Sequence, residues 1–320
     1  MTRAGAARGV AALLALLGGA PLAAAPRAYV TNQGADSVTV IDLADRRVLA
    51  TVAVGRHPAG VAAGSSTGDY AYVSNPDGNS LSVIDLRRAR AIAEIPTGAS
   101  PLGLAADPLR PRLYVANWYD QRVEIVDRDA RKVVGAFAVG RIPAGLAVSR
   151  DGAWLAVANR DDHAVQLLSL PDGAQSARIA VGRRPFGVTL SEDGRLLFTA
   201  NVKSDDVSIV ALQARREIAR VRVGDAPYAS IHDAKRNLLF VTNQQSGSVS
   251  VVDVGAAREL LRIPVGDYPE GIDYSPSLDR VYVASWFDNA LYAIDPERLA
   301  VEAQIPCGDG SRAFGDFIRE

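Results

Sequence analysis

The chain has 320 residues, 35 basic and 36 acidic side chains giving a formal net charge of −1, with 48% hydrophobic and 22% charged residues. This is globular composition, and it excludes a disordered chain or one drawn as a whole to nucleic acid or an acidic membrane. Twenty-eight Gly, 17 Pro and one Met favour short strands joined by turns. A single cysteine excludes a disulfide framework, a Cys-rich zinc site and an iron–sulfur cluster, and without Cys-x-x-Cys-His there is no covalent c-type haem.

Residues 1–8 carry Arg3 and Arg8 without an acid, and 9–25 are apolar and end in small residues. A basic start, a short apolar run and an alanine-rich end are the features of a secretory signal peptide. Gly18, Gly19 and Pro21 interrupt the run, which is short for the roughly 20 apolar residues of a membrane span. Cleavage is expected after Ala25 or just before it, with an uncleaved anchor as the alternative. Residues 1–25 are therefore assigned as a signal peptide, and 26–320 as an exported domain that is periplasmic or secreted.

From Ala28 onward one unit recurs. Tyr29-Val30-Thr31-Asn32 returns as Tyr72–Asn75, Tyr114–Asn117, Ala156–Asn159, Phe198–Asn201, Phe240–Asn243 and Tyr282–Ser285, at spacings of 43 and then 42. Ten residues after each Asn, or Ser285, stands Asp42, Asp85, Asp127, Ser169, Ala211, Asp253 or Asp295. A third element, Val54-Gly55-x-x-Pro58, recurs ahead of Pro101, Pro143, Pro185, Pro227 and Pro269, and its seventh copy, Cys307-Gly308-x-x-Ser311, has lost Val and Pro. Each period holds four runs of period-two alternation. In the fourth these are Gly145–Ser149, Trp154–Asn159, Ala164–Ser169 and Ala177–Val181. A lone four-stranded sheet cannot bury both faces, whereas seven arranged radially pack one on the next. The reading is an all-β, seven-bladed β-propeller of four-stranded antiparallel blades, spanning 26–320 as one domain. The repeat frame starts at a second strand, Ala28–Asn32, and ends on Arg312–Ile318, which aligns with a first strand. The C-terminus should supply the innermost strand of blade 1, a one-plus-three closure.

The strings Tyr-Val-Thr-Asn at 29–32, Ser-Val-Thr-Val-Ile-Asp at 37–42 and Val-Gly-x-x-Pro-x-Gly at 54–60 resemble the YVTN β-propeller repeat family over essentially all of 28–318. The resemblance implies a seven-bladed propeller, usually exported, similar in fold to the larger propellers of amine dehydrogenase heavy chains and cytochrome d1 nitrite reductases. It carries no set of catalytic residues, because the shared motif is structural and propellers host unrelated functions.

What recurs in every blade maintains the blade, and what differs is where function can sit. The Asn column should hydrogen-bond backbone in the following turn, and the Asp column should open an Asx-turn between third and fourth strands. The variable loops, fourth-to-first and second-to-third, share one rim, the top. Its connection residues are basic at Arg56-His57, Arg141 and Arg183-Arg184 and acidic at Asp225, Asp267 and Asp309. This is either an electrically split face able to orient a charged ligand or ordinary solvated loop charge. Two second-to-third loops resemble each other, Trp118-Tyr119-Asp120-Gln121 and Trp286-Phe287-Asp288-Asn289. Their aromatics either bind a partner or pack on the next blade. Tyr268 lies in a connection, and Trp154 is expected in the core. The residues after the loop Pro should border the channel mouth: in blade order Arg312, Ala59, Leu102, Ala144, Phe186, Tyr228 and Glu270. Glu270 and Arg312 could pair across the closure, as a clasp or as a ligand clamp.

Catalytic signals are weak. His57, His163 and His232 are too scattered for a metal site, Asp161-Asp162 read as a solvated turn, Cys307 as a small buried hydrophobe, and nucleophile-elbow, zincin, P-loop and dinucleotide strings are absent. No catalytic residue, metal or cofactor is assigned. The preferred reading is an exported, monomeric, non-enzymatic scaffold binding a protein, peptide or small charged ligand on its top face through Arg56, His57, Trp118, Tyr119, Arg141, Arg183, Arg184, Phe186, Tyr228, Tyr268, Glu270, Trp286, Phe287 and Arg312. One alternative is a periplasmic enzyme or accessory subunit of an amine or alcohol dehydrogenase or haem d1-like redox system. Another, disfavoured by the neutral charge, is a single-stranded nucleic-acid binder, with Trp118 and Trp286 stacking bases and Arg183 and Arg184 on phosphates.

Overall fold

The computed structural model describes residues 25–320, so the signal-peptide assignment, apart from its boundary at Ala25, lies outside the described residues. In blades 2 to 7 each period folds into one antiparallel sheet, innermost strand first, and blade 1 is completed by the C-terminus. Blade 4, for example, comprises Pro143–Val148, Trp154–Asn159, Ala164–Ser169 and Gln175–Ala180. The two middle strands coincide with the alternating runs in the sequence. The inner strand begins two residues earlier, because Pro143 already pairs with Asn159 before a one-residue bulge at Ala144-Gly145. Blades 3, 5, 6 and 7 repeat that bulge.

Blade contact explains the aromatic column. Tyr29, Tyr72, Tyr114, Phe198, Phe240 and Tyr282 are at most 1% exposed, each wedged between sheets, and blade 4 alone carries a small residue there, Ala156. Burying such a ring contributes about 1.5–3 kcal/mol. Seven blades packed in this way close the ring and leave only short, protected sheet edges. The inner strands touch side by side so closely that glycine is needed: a Cβ at Gly60 would overlap the Leu102 carbonyl oxygen, and one at Gly145 that of Phe186.

The closure is one plus three, with a shorter closing strand than Arg312–Ile318. Ser311 bridges Asn32 at the top and Ile318–Arg319 pairs with Ala28 and Arg27 at the bottom. Between them Phe314–Asp316 bulges away from blade 1 and runs parallel to Gly60–Ala62, the inner strand of blade 2. The closing segment thus touches blades 7, 1 and 2 at once.

The Asp column opens the expected turns: the Oδ1 atoms of Asp42, Asp85, Asp127, Asp253 and Asp295 accept main-chain N–H groups two or three residues on. The Asn column does something else. Rather than capping its own turn, Asn75 Nδ2 donates across the hairpin to the hydroxyls of Ser80 and Ser82, and Asn32, Asn201 and Asn243 do the equivalent. Cys307 is half-buried, its thiol pushed up to about 12 by burial, and Trp154 is half-exposed beside a crevice between blades 4 and 5 rather than in the core.

Candidate functional site

The top rim is a ring of staples. The second variable residue of each connection adopts the left-handed conformation: His57, Ser100, Ile142, Arg184, Ala226 and Tyr268 have φ of 52–62°. In that pose its N–H faces the preceding blade. His57 N donates to Asp36 Oδ1, Ser100 N to Asn79 Oδ1, Arg184 N to His163 Nδ1 and Ala226 N to Asp205 Oδ1. The residue before it donates into the blade it enters, as Arg141 N does to Asp162 Oδ2. His163 and Asp162 are thereby accounted for as rim fasteners.

The rim arginines are also engaged. Arg141 Nε donates to Asp162 Oδ1 at 2.8 Å and Arg56 and Arg183 donate to the carbonyls of Asp77 and Lys203. Arg184 lies 3.7 Å from Asp161, and His57 bonds Asp77. Hydrogen bonding to Asp162 comes first among the causes that raise the Arg141 pKa. Much of the expected positive half of the face is therefore neutralised locally. The side chains of Arg56, Arg141 and Arg183 remain solvent-exposed.

The ring of residues around the channel mouth converges into a plug. Phe186 stacks on Tyr228 with centroids 4.1 Å apart, Phe314 meets both edge-on, and Trp118 leans on Phe186 at 5.7 Å. Ala59, Leu102 and Ala144 complete this cluster. Glu270 and Arg312 do pair, and they do so out of solvent: Glu270 is fully buried and the Arg312 side chain is 12% exposed. Arg312 also donates to the Tyr228 hydroxyl at 2.8 Å, Gln244 Nε2 donates to Glu270 Oε1 at 2.7 Å, and the Arg312 guanidinium lies over Trp286. Burial lifts the Glu270 pKa against the opposing charge of Arg312, and burial lifts that of Tyr228. Phe186, Tyr228, Glu270 and Arg312, expected as ligand contacts, thus form a seal, since three aromatics and a satisfied ion pair fill the narrow end of the channel.

Above the seal, the two related loops present an aromatic ledge. Tyr119 is 68% and Phe287 61% exposed. Phe287 stacks on Trp286 at 5.6 Å and touches Tyr268 at 5.2 Å, while Arg160 covers Trp118. The inner Trp of each pair is half-buried and fixed, and the outer ring is offered to solvent. Of the expected residues, Tyr268, Trp286 and Phe287 come together on blade 7 and Trp118 with Tyr119 stands on blade 3, while Arg56, His57, Arg141, Arg183 and Arg184 lie on the connections into blades 2, 4 and 5.

The opposite end is open. A cavity of about 810 Å³ is lined from the third position of the inner strands down to the first-to-second loops of the bottom face. Its titratable inner-strand side chains are His232, Asp233, Asp273, Tyr274 and Asp316, of which motif reading weighed only His232. The repeat frame itself carried a signal. Asp273 stands where other blades have Ala62, Ala105, Ala147, Thr189, Ile231 and Gly315, a column of small or apolar residues broken by one acid.

These features define a class, a seven-bladed propeller closed one plus three, sealed at the top and hollow from below. No known family profile matches the chain, and no curated protein matches it in sequence. Solved structures do share the fold. A functionally unknown protein from Desulfotomaculum acetoxidans is similar with a TM-score of 0.75 at 12% identity, over 90% of this chain and 99% of that one. Hydrazine synthase of Kuenenia stuttgartiensis matches with a TM-score of 0.70 at 19% identity, over 79% of this chain and 87% of that one. The dihydro-heme d1 dehydrogenase NirN matches with a TM-score of 0.68 at 18% identity, over 92% of this chain, which spans 66% of NirN. At these identities the likeness is one of fold.

Proposed function

We propose that this is an exported propeller of the YVTN-repeat type whose top face docks a protein or peptide partner. The observation that carries this reading is the aromatic ledge, where two related loops hold Tyr119 and Phe287 outward on a stapled, rigid rim. Rigid exposed aromatics supply contact area at low entropic cost. The rim arginines, exposed but already oriented, would form the polar margin of such an interface. They would serve nucleic acid poorly, since Arg141 is matched by Asp162 and the rim also carries Asp225, Asp267 and Asp309. The test is co-purification of the exported protein from its own periplasm with and without Tyr119→Ser and Phe287→Ser. The double variant should lose the partner that the wild type retains, with an unchanged melting temperature. The same preparation addresses the redox alternative, which rests on fold likeness alone: a stoichiometric visible chromophore in the wild type would replace the docking reading with it. Amino-terminal sequencing of that protein should begin at or next to Ala25.

A further inference from the structure

The hollow bottom half of the channel has no part in docking on the sealed top. It encloses about 810 Å³ and is lined by Phe314, whose ring belongs to the same buried cluster as Phe186 and Tyr228. Pockets for small molecules occupy roughly 300–1,000 Å³ and combine apolar walls with a few fixed polar groups. Here the apolar wall includes Ala105, Ala147, Val188 and Ile231, each partly exposed in its inner strand. Three inner-strand acids line the cavity: Asp233, which is paired with Arg236, and Asp273 and Asp316 at the closure.

The two acids are not equivalent. Asp273 is fixed by main chain: its Oδ2 accepts from Phe317 N and Ile318 N, both at 2.9 Å, and its Oδ1 from Tyr274 N at 2.8 Å. Asp316 lies deep in the ring yet is exposed to the cavity. Cations nearby are otherwise occupied. Arg319 acts on Asp316 but spends Nη1 on the Gly64 carbonyl, Arg236 is held between Asp233 and Asp279, Lys235 pairs with Asp279 and Arg150 with Glu192. A desolvated carboxyl beside a second one repels it, and a cation at that spot relieves both burial and repulsion.

We propose that the bottom channel is a binding site for a small organic cation with N–H donors, an amidinium or ammonium, whose charge meets Asp316 and whose apolar body lies against the wall formed by Ala147, Val188 and Ile231. Burial, followed by repulsion from Asp316, holds Asp273 well above the usual carboxylate range, and burial pushes Asp316 up to about 6. A planar amidinium matches carboxylate geometry with two parallel hydrogen bonds.

The test is calorimetric titration of the full exported protein at neutral pH with benzamidine and with its neutral isostere benzamide. Benzamidine should bind at least about tenfold more tightly than benzamide. Asp316→Asn, which keeps size and shape, should erase that difference, and Ala147→Phe, across the ring, should weaken both ligands by occupying the wall against which their apolar body lies. Phe287→Ser on the top ledge should leave benzamidine binding unchanged, which keeps this result separate from the docking reading. Equal affinity for the two ligands, no binding up to about 10 mM benzamidine, or undiminished binding by a folded Asp316→Asn variant would each overturn the proposal. Should that variant melt before assay temperature, Ala147→Phe alone decides, since unimpaired binding there places the ligand elsewhere.

Discussion

Glu270 and Arg312 show how much of a residue's role is set by what surrounds it. The sequence placed both at the channel mouth and next to each other across the closure, and left open whether they clasp the ring or grip a ligand. Burial decides for the clasp, because Gln244, Tyr228 and Trp286 satisfy and cover the pair. An orphaned buried charge is expensive, so Glu270→Leu should cost about 3–5 kcal/mol in denaturant unfolding, and adding Arg312→Met should recover most of it. If the single variant cost less than about 1 kcal/mol, the pair would be a solvated surface bridge. The acids below are raised by burial as Glu270 is, and the sign of their pH dependence follows from that. A carboxyl whose pKa is raised in the folded state binds its proton more tightly there than in the unfolded chain, so its favourable contribution is present below the unfolded value and fades as pH rises through the folded one. For Asp316 that window runs from about 4, the ordinary carboxylate value, to about 6. The melting temperature of Asp316→Asn should therefore gain on the wild type across this window and run parallel to it above. A constant offset at all pH values would mean that Asp316 titrates normally.

At the scale of the element, the repeated motif was legible because the chain compares itself seven times. Strand content, blade count, the Asx-turns and the plane of closure all follow from columns of like residues. Contacts between blades were less legible. The Asn column was expected to serve its own turn, but the neighbouring hydroxyls of Ser80 and Ser82 sit across the hairpin at donor distance, a match visible only once register is fixed. The rim charges likewise looked free in sequence because their partners lie about 20 positions away, as Asp162 does from Arg141. The same staple imposes strain that can be measured. Ile142 is β-branched and held at φ 53°, in a conformation that costs L-residues about 1–2 kcal/mol and that Asn tolerates far better. Ile142→Asn should raise stability by up to about 1 kcal/mol, read as a higher denaturation midpoint with an unchanged slope. A loss instead would show that packing of the half-buried Ile142 side chain outweighs its backbone strain.

For the molecule as a whole, neighbouring blades share buried cores, and the closure that completes the ring is concentrated in nine residues. From 312 to 320 the chain contributes Arg312 to the seal, Phe314 to the aromatic plug, backbone N–H groups of Phe317 and Ile318 to Asp273, and two ladder pairs to blade 1. Phe314, Phe317 and Ile318 are each 5% exposed or less. Their burial contributes about 1.5–3 kcal/mol apiece, and losing Arg312 would strand Glu270 at a cost of the same order as in the single variant. Together these losses approach the whole net stability of a typical domain, about 5–15 kcal/mol. Sequence periodicity locates this closing segment but not its path, because the bulge that carries Phe314–Asp316 over to blade 2 depends on how the ring narrows at the axis. Ending the chain at Ser311 should accordingly abolish the cooperative melt of all seven blades, whereas removing Glu320 alone, which bonds only the Ser275 hydroxyl, should shift it slightly. A truncated protein that still unfolded in one transition within a few degrees of the wild type would show that the remaining blades hold the ring without a clasp, and the hollow beneath the seal would then lose one of its walls without losing its frame.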